Sequence, residues 1–247
     1  FYISMYLRGV RWGLLFEPNY HLNGRRLFPP IMICFAFNSI LPARVGELVR
    51  CFYVGRREKT GVPTALATVI AERIFDGLCL LLMLAVASRF IEPLDEDFVF
   101  PVDLAGKTVI LDKNMIDGGI RKLVVASLIL AFGVIMFMIP IVRKIVTRLT
   151  GSLPVLTEQS KTKIVGILEQ AARGFHALGK PFVLLKIIVH TLLIWLLVAL
   201  SNQFVARGFD VQMTNWQAMA MVTMIGFAVL IPAAPGYWGL YEAGGVF

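Results

Sequence analysis

The sequence predicts an all-α integral membrane protein, a polytopic bundle of helices in which some helices are broken or re-entrant. Hydrophobic residues make up 57% of the chain and charged residues only 16%, whereas soluble domains carry about 25% charged residues. The mean hydropathy is +0.75, and apolar runs recur along the whole chain. We therefore expect a single transmembrane domain over residues 1–247, trimmed at both ends from a longer protein.

The apolar runs give the expected order of helices. About 20 apolar residues cross a hydrocarbon core about 30 Å thick. Three segments meet that length, a fourth is marginal, and the opening segment is the tail of a further span. In chain order, the predicted segments are residues 1–16, 64–87, 123–141, 182–206 and 216–231.

A shorter apolar run, residues 29–41, does not fit this scheme. Its 13 residues would span only about 20 Å as a helix. Lys and Arg are enriched in cytoplasmic loops, and fifteen of them lie before this run, directly after it, or between residues 143 and 180. Arg8 and Arg11 are counted in the first of these regions. Both flanks are then cytoplasmic, and we predict that the run enters and leaves the membrane on one side.

Two further segments are assigned from their charge pattern. Residues from about 89 to 122 contain seven acidic residues and five basic ones, and we expect this acidic loop to face outward. Residues from about 155 to 178 place apolar side chains at steps of three and four, which predicts an amphipathic helix on the cytoplasmic surface.

The stretch AFNSILPARVGELVRCF, residues 36–52, carries charge inside an apolar region. Pro42 and Gly46 are predicted to break the helix there. Arg44, Glu47 and Arg50 follow at intervals of three, so Arg44 and Glu47 can pair. The planar fork of arginine suits phosphate or carboxylate, which makes these three residues candidates for binding a lipid headgroup. Alternatively, the arginines only extend to the cytoplasmic headgroups from a helix end.

A second charged cluster lies in the middle of the predicted segment 64–87. Three central charges, Glu72, Arg73 and Asp76, cost about 7–10 kcal/mol on insertion, and the apolar residues of the segment return only about 3–7 kcal/mol. Arg73 and Asp76 lie three residues apart on this helix and can pair. The cluster is expected to face the bundle and to find partners there, as a cavity charge network. The alternative is an ion pair that only locks the packing of helices.

The stretch LIPAAPGYWGLYEAGG, residues 230–245, repeats the pattern of a broken apolar segment followed by a carboxylate. Glu242 is a further candidate for headgroup binding. Paired broken segments in two halves of a chain are typical of transporter sites and of inverted repeats, and the glycines alternatively serve close helix packing. The predicted helix-breaking residues are Pro232, Pro235, Gly236 and Gly239.

Three blocks together resemble a known family. They are NSILPARVGELVR at residues 38–50, ERIFD at 72–76 and PAAPGYWGLYE at 232–242. In this order they resemble the membrane domain of bacterial lysylphosphatidylglycerol synthases and their stand-alone relatives. The resemblance implies a flippase domain that moves aminoacylated phosphatidylglycerol between leaflets, and it implies no synthase activity for this sequence, in which the soluble synthase domain is absent.

These observations lead to one functional expectation and two alternatives. We expect a lipid flippase or transporter in the cell membrane that binds an anionic or aminoacylated phospholipid, or a polyprenyl phosphate. The alternatives are a membrane enzyme acting on lipid phosphates or glycosyl carriers, for which Glu72 and Asp76 could serve acid/base chemistry, and a lipid-regulated scaffold. We expect no cofactor, metal or nucleic acid; the expected partners are membrane phospholipids, and a homo-oligomer is compatible with the sequence.

Overall fold

The computed structural model is a bundle of packed helices with one β-hairpin. It describes residues 2–16, 20–41, 44–87, 89–90, 99–104, 107–112 and 180–230, together with individual helical positions at 118, 125, 129, 132, 166, 167 and 169. Within these residues the elements are α1 (Tyr2–Leu15), α2 (Gly24–Ile40), α3 (Val45–Arg57), α4 (Val62–Ala87), β1 (Val99–Leu104), β2 (Lys107–Asp112), α5 (Pro181–Gly208) and α6 (Asn215–Leu230). The predicted helical architecture is therefore confirmed for most of the described chain.

Four of the predicted apolar segments coincide with helices. The segments at 1–16, 64–87, 182–206 and 216–231 correspond to α1, α4, α5 and α6. The segment 123–141 and the amphipathic helix at 155–178 lie outside the described residues, apart from the single helical positions named above. The broken segment at 230–245 also lies outside them, except for its first residue.

Helix α5 is the one helix in the described part of the chain that is long and apolar enough to cross a membrane. It has 28 residues and a mean hydropathy of 2.5. Helix α4 is nearly as long, with 26 residues, but it carries Glu72, Arg73 and Asp76 in its middle. The difference between the two helices is thus one of charge and not of length.

One face of α5 is apolar and exposed. Its large side chains recur at steps of three and four, which places them on one side of a helix. Such a stripe is what a helix needs where it faces acyl chains. The stripe consists of Phe182, Leu185, Val189, Leu193, Leu196, Leu200 and Phe204, which are 43 to 68% exposed.

Helices α2 and α3 form a helical hairpin. The side-chain oxygen of Asn23 accepts a hydrogen bond of 3.0 Å from the backbone N–H of Arg26, which caps the start of α2. Helix α2 then has 17 residues and continues through Pro29 and Pro30, so it begins before the apolar run predicted at 29–41. It reaches about 25 Å. That the hairpin enters the membrane from one side stays a prediction.

A β-hairpin lies within the segment predicted as an acidic loop. Strands β1 and β2 pair antiparallel, with Val99 opposite Asp112 and Leu104 opposite Lys107. The sequences VFPVDL and KTVILD are rich in Val, Ile and Thr, which favour strands. The all-α prediction did not include this hairpin, because the segment was assigned from its charge alone.

The six helices of the described chain pack in a ring, in which each helix makes its most extensive contacts with two neighbours. Helix α1 contacts α2 and α5, α3 contacts α2 and α4, and α6 contacts α4 and α5. The core between them is built around Trp12, Leu15 and Leu27, whose side chains are fully buried. This arrangement brings the middle of α4, with its charges, against α1, α3 and α5.

Candidate functional site

A cavity of about 290 Å³, lined by both apolar and charged residues, lies among the six helices of the described chain. Every one of these helices contributes to its wall, and apolar residues such as Leu80, Val198 and Val222 line it together with polar ones. The structure therefore brings charged residues from separate parts of the sequence to one place. The charged residues that line the cavity are Arg8, Arg44, Glu47, Arg50, Glu72, Arg73 and Asp76.

Four side chains form what we call the inner cluster: Arg11, Arg50, Glu72 and Asp76. The two nitrogens Nη2 and Nη1 of Arg11 lie 2.9 Å from Glu72 Oε1 and 2.5 Å from Asp76 Oδ1. Nη2 of Arg50 lies 2.6 Å from Glu72 Oε2. All four side chains are at most 3% exposed. These short, charge-assisted bonds tie α1 and α3 to α4.

Neutral groups complete the inner cluster. Thr191 Oγ1 accepts a hydrogen bond of 2.9 Å from Arg11, and the indole N–H of Trp195 donates to Asp76 Oδ1 at 3.1 Å. The guanidinium of Arg50 lies 4.6 Å from the ring centroid of Trp12, a cation–π contact. A buried ion pair is tolerated when its remaining donors and acceptors are satisfied. These contacts satisfy further donors and acceptors of the cluster and add α5 to the assembly, while Nε of Arg11 and Nε of Arg50 have no hydrogen-bond partner among the described residues.

Glu47 forms two looser ion pairs, which we call the outer pairs. Its Oε1 lies 3.7 Å from Nη1 of Arg44 and 3.7 Å from Nε of Arg73. The three side chains are 14 to 23% exposed. These distances are longer than the hydrogen bonds of the inner cluster. Nη2 of Arg73 also lies 3.3 Å from Asp76 Oδ2, so Arg73 links the outer pairs to the inner cluster.

The predicted pairs within one helix or turn are present. Arg44 pairs with Glu47, and Arg73 pairs with Asp76, each at a spacing of three residues. Arg50 does not extend to the headgroup region, because its side chain is only 3% exposed and bonds to Glu72. The alternative reading of Arg50 as a residue that only reaches the lipid surface is therefore wrong.

The connection between α2 and α3 falls at residues 41–44. Arg44 precedes α3 with φ 57° and ψ 34°, a left-handed conformation that costs a residue with a side chain about 1–2 kcal/mol. The bend predicted at Gly46 is wrong, since Gly46 lies inside α3. The glycine is needed for a different reason: a Cβ atom there would lie 2.1 Å from the carbonyl oxygen of Cys34. Its N–H donates to Asn38 Oδ1 at 2.9 Å, which fixes α3 on α2.

Arg8 is the unusual arginine of the cavity. It is only 9% exposed, and within the described residues it forms no ion pair. Its Nε has no hydrogen-bond partner there, which is also true of Nε in Arg11, Arg50 and Arg73. Its guanidinium instead lies 5.3 Å from the ring centroid of Trp195 and 5.9 Å from that of Phe35.

Sequence reasoning missed Arg8 and Arg11. Both were counted as cytoplasmic loop charges, whereas both are buried inside α1. A signal was available: Met5, Arg8, Trp12 and Leu15 recur at helical spacing, and all four are buried. The excess of carboxylate over arginine within ERIFD also required a cation from another helix. Trp195 and Asn38 had no comparable signal.

The remaining predicted residues are not placed by the structure. Glu242, predicted to bind a headgroup, lies outside the described residues. So do the predicted helix-breaking residues Pro42, Pro232, Pro235, Gly236 and Gly239. No group of three or more His, Cys, Asp or Glu side chains in the described part of the chain is arranged to hold a metal ion.

Comparison with known proteins gives the family. A stretch of 77 residues, 31% of the chain, is 35% identical to the glycosyltransferase AglD of Haloferax volcanii, and the match covers only 12% of that relative's length. No solved structure matches the chain. The family described as the lysylphosphatidylglycerol synthase TM region matches residues 1–247. The chain therefore belongs to the lysylphosphatidylglycerol synthase transmembrane-region family and is a membrane protein.

Proposed function

We propose that the protein is a multi-pass protein of the cell membrane that binds a lipid headgroup in the cavity among its helices and moves the lipid between leaflets. The lipid is an anionic or aminoacylated phospholipid, or a polyprenyl phosphate. Family membership supports a role with membrane lipids. The observation that carries the proposal is a charged cavity inside a helical membrane bundle, lined by arginines and carboxylates from three segments of the chain.

The size of the cavity suits a headgroup rather than a whole lipid. A volume of about 290 Å³ lies just below the range of about 300–1,000 Å³ that is usual for ligand pockets. Acyl chains then stay outside, against apolar surfaces such as the exposed stripe of α5. This division is what a flippase needs, because only the polar part of the lipid pays a large cost in the hydrocarbon.

The outer pairs are the part of the cavity that can exchange partners. Glu47 holds both Arg44 and Arg73 at 3.7 Å, which leaves room for stronger bonds to an incoming group. In this proposal Arg44 binds the phosphate, and Glu47, with Glu242, accepts a cationic headgroup or orients the arginines. Arg50 is already bonded to Glu72, so we assign it to the wall of the cavity.

Leaflet exchange of a fluorescent phosphatidylglycerol in proteoliposomes tests this function. We expect the protein to exchange lipid faster than empty vesicles, and Arg44→Gln to slow the exchange about tenfold or more, the loss of one charge-assisted bond. Arg56→Gln removes the same charge from an exposed position of α3 and is expected to leave the rate unchanged. A folded Arg44→Gln protein with the normal rate would exclude Arg44 from the site.

The same experiment separates the alternatives. A transporter returns its lipid chemically unchanged, whereas an enzyme acting on lipid phosphates yields a product that mass spectrometry detects. Stoichiometric lipid binding without any leaflet exchange would favour the scaffold. Glu72 and Asp76 each accept bonds from arginines, so neither carboxylate is poised as a free acid or base, and we propose no catalytic step.

A further inference from the structure

Arg8 differs from the other arginines of the cavity in having no counter-ion in the described structure. Arg11 and Arg50 bond to Glu72, and Arg73 pairs with Asp76. The described cluster thus contains five arginines and three carboxylates, and it carries two more positive than negative charges. Its members are Arg8, Arg11, Arg44, Arg50, Arg73, Glu47, Glu72 and Asp76. A buried charge without a partner is costly. Binding of an anion would therefore stabilise this site.

The rings beside Arg8 hold its guanidinium without using its donors. A cation–π contact engages the charge of the guanidinium and forms no hydrogen bond to an oxygen or nitrogen acceptor with its five N–H donors. Trp195 and Phe35 are the two rings, at 5.3 and 5.9 Å. The donors of Arg8 therefore remain available to an acceptor that enters the cavity, and the side chain lines that cavity.

Trp195 also fixes the position of Arg8 relative to the inner cluster. Its indole N–H is bonded to Asp76 at 3.1 Å, so the ring that covers Arg8 is anchored to α4. Asp76 is itself occupied by Arg11 at 2.5 Å. Asp76 is thus already paired with Arg11, and Arg8 remains available to bind a ligand.

We propose that Arg8 is the phosphate receptor of the cavity, binding an oxyanion through its guanidinium edge between Phe35 and Trp195. The ligand is a phosphate group, either the phosphodiester of a lipid headgroup or free phosphate. This inference deepens the proposed function and rests on it for the assignment to a lipid. Arg44 then contacts the phosphate from the outer pairs, and Arg8 binds the same phosphate from deeper in the bundle.

Lipid retention by the detergent-purified protein tests the proposal. Native mass spectrometry would compare the retention of dioleoylphosphatidylglycerol with that of dioleoylglycerol, which lacks the phosphate. We expect the protein to prefer the phospholipid, and Arg8→Gln to reduce that preference about tenfold to a hundredfold. Arg25→Gln, an equal charge change at an exposed position of α2, is the matched control and should keep the preference.

Stability provides a second readout that separates a receptor from a structural residue. Removing an unpaired buried cation should leave the melting temperature of the lipid-free protein unchanged or raise it. Should Arg8→Gln fail to fold, Arg8→Lys carries the test, because lysine keeps the charge but loses the planar fork. We expect Arg8→Lys to melt normally and to bind phosphatidylglycerol several-fold more weakly.

The source of the phosphate is decided by competition. Displacement of the lipid by millimolar inorganic phosphate would show that the site takes free phosphate, whereas retention would assign the phosphodiester of the lipid. The proposal would be overturned if folded Arg8→Gln and Arg8→Lys proteins bound phosphatidylglycerol as tightly as the unmodified protein. It would also be overturned if the unmodified protein showed no preference for phosphatidylglycerol over dioleoylglycerol. Arg8-dependent binding without leaflet exchange would uphold this inference and remove the transport proposal.

Discussion

The inner cluster and the outer pairs are built from the same residue types but differ in distance and burial. In the inner cluster, arginine nitrogens lie 2.5 to 2.9 Å from carboxylate oxygens, and the side chains are at most 3% exposed. In the outer pairs the separation is 3.7 Å and the side chains are 14 to 23% exposed. A short, dry pair resists rearrangement, whereas a longer and wetter pair exchanges partners at low cost. The comparison supports the proposal that the inner cluster holds the helices and that the outer pairs meet the ligand.

Glu72→Gln is expected to have the largest effect, because it breaks the inner cluster at its centre. Glu72 accepts bonds from Arg11 at 2.9 Å and from Arg50 at 2.6 Å. The amide would leave two buried cations with one fewer carboxylate, and breaking a buried pair costs about 3–5 kcal/mol. A markedly lower melting temperature in detergent, followed by fluorescence-detected gel filtration, is the expected result.

Glu58→Gln is the matched control for that change. Glu58 pairs at 3.9 and 3.8 Å with the exposed residues Arg26 and Arg57, and such surface pairs contribute at most about 1 kcal/mol. If the two variants melted at the same temperature, the inner cluster would not be what holds the helices.

Gly46→Ala is expected to have an intermediate effect, because it moves α3, which carries Glu47 of the outer pairs and Arg50 of the inner cluster. The new Cβ would lie 2.1 Å from the carbonyl oxygen of Cys34 and 2.6 Å from Asn38 Oδ1, so α3 must move off α2. Overpacking of this kind costs about 1–3 kcal/mol. Both melting temperature and leaflet exchange should fall.

The control for this steric change is Gly208→Ala. Nothing lies within 4 Å of a Cβ built at Gly208, and alanine is the better helix former. We expect a neutral or slightly stabilising change there. If Gly46→Ala and Gly208→Ala melted at the same temperature, the close approach of α2 and α3 would be contradicted.

Glu47→Gln is expected to have the smallest effect on stability and a clear effect on function. Its two pairs at 3.7 Å contribute about 0–1 kcal/mol. Leaflet exchange should nevertheless slow, because Arg44 and Arg73 lose the carboxylate that orients them. The comparison between the two regions fails if Glu47→Gln destabilises the protein as strongly as Glu72→Gln.

Salt sharpens the same comparison. The Debye length shrinks to about 3 Å at 1 M salt, so the small stability difference caused by Glu47→Gln should decrease there. Because the outer pairs are themselves partly buried, that difference should not vanish. We expect it to shrink more than the larger one caused by Glu72→Gln, since the inner cluster is buried almost completely. Melting curves of both variants at low and high salt would measure this contrast.

Sequence reasoning predicted that charges would gather but not which ones would pair. The gathering follows from a general cost, because charge inside a membrane domain must find partners. Spacing along one helix correctly gave the pairs of Arg44 with Glu47 and of Arg73 with Asp76. It could not give Arg50 with Glu72, since that pair joins two helices whose relative placement depends on packing.

Two further differences have equally local causes. Counting loop charges treated Arg11 as a loop residue, although α1 continues to Leu15 and buries it. Glycine serves both bends and close contacts, and the sequence around Gly46 does not distinguish them; only the proximity of Cys34 decides. The hairpin β1–β2 was missed because acidity was weighed above the β-branched residues of its strands.

The order of residues along the chain sets the order in which the partners of the inner cluster are synthesised. Arg11 precedes Asp76 by 65 residues and Thr191 by 180. The ribosome therefore delivers the cation first, the carboxylates next and the hydroxyl last. When α4 emerges with its costly charges, its counter-ions Arg11 and Arg50 have already been synthesised, and only the neutral partners Thr191 and Trp195 follow.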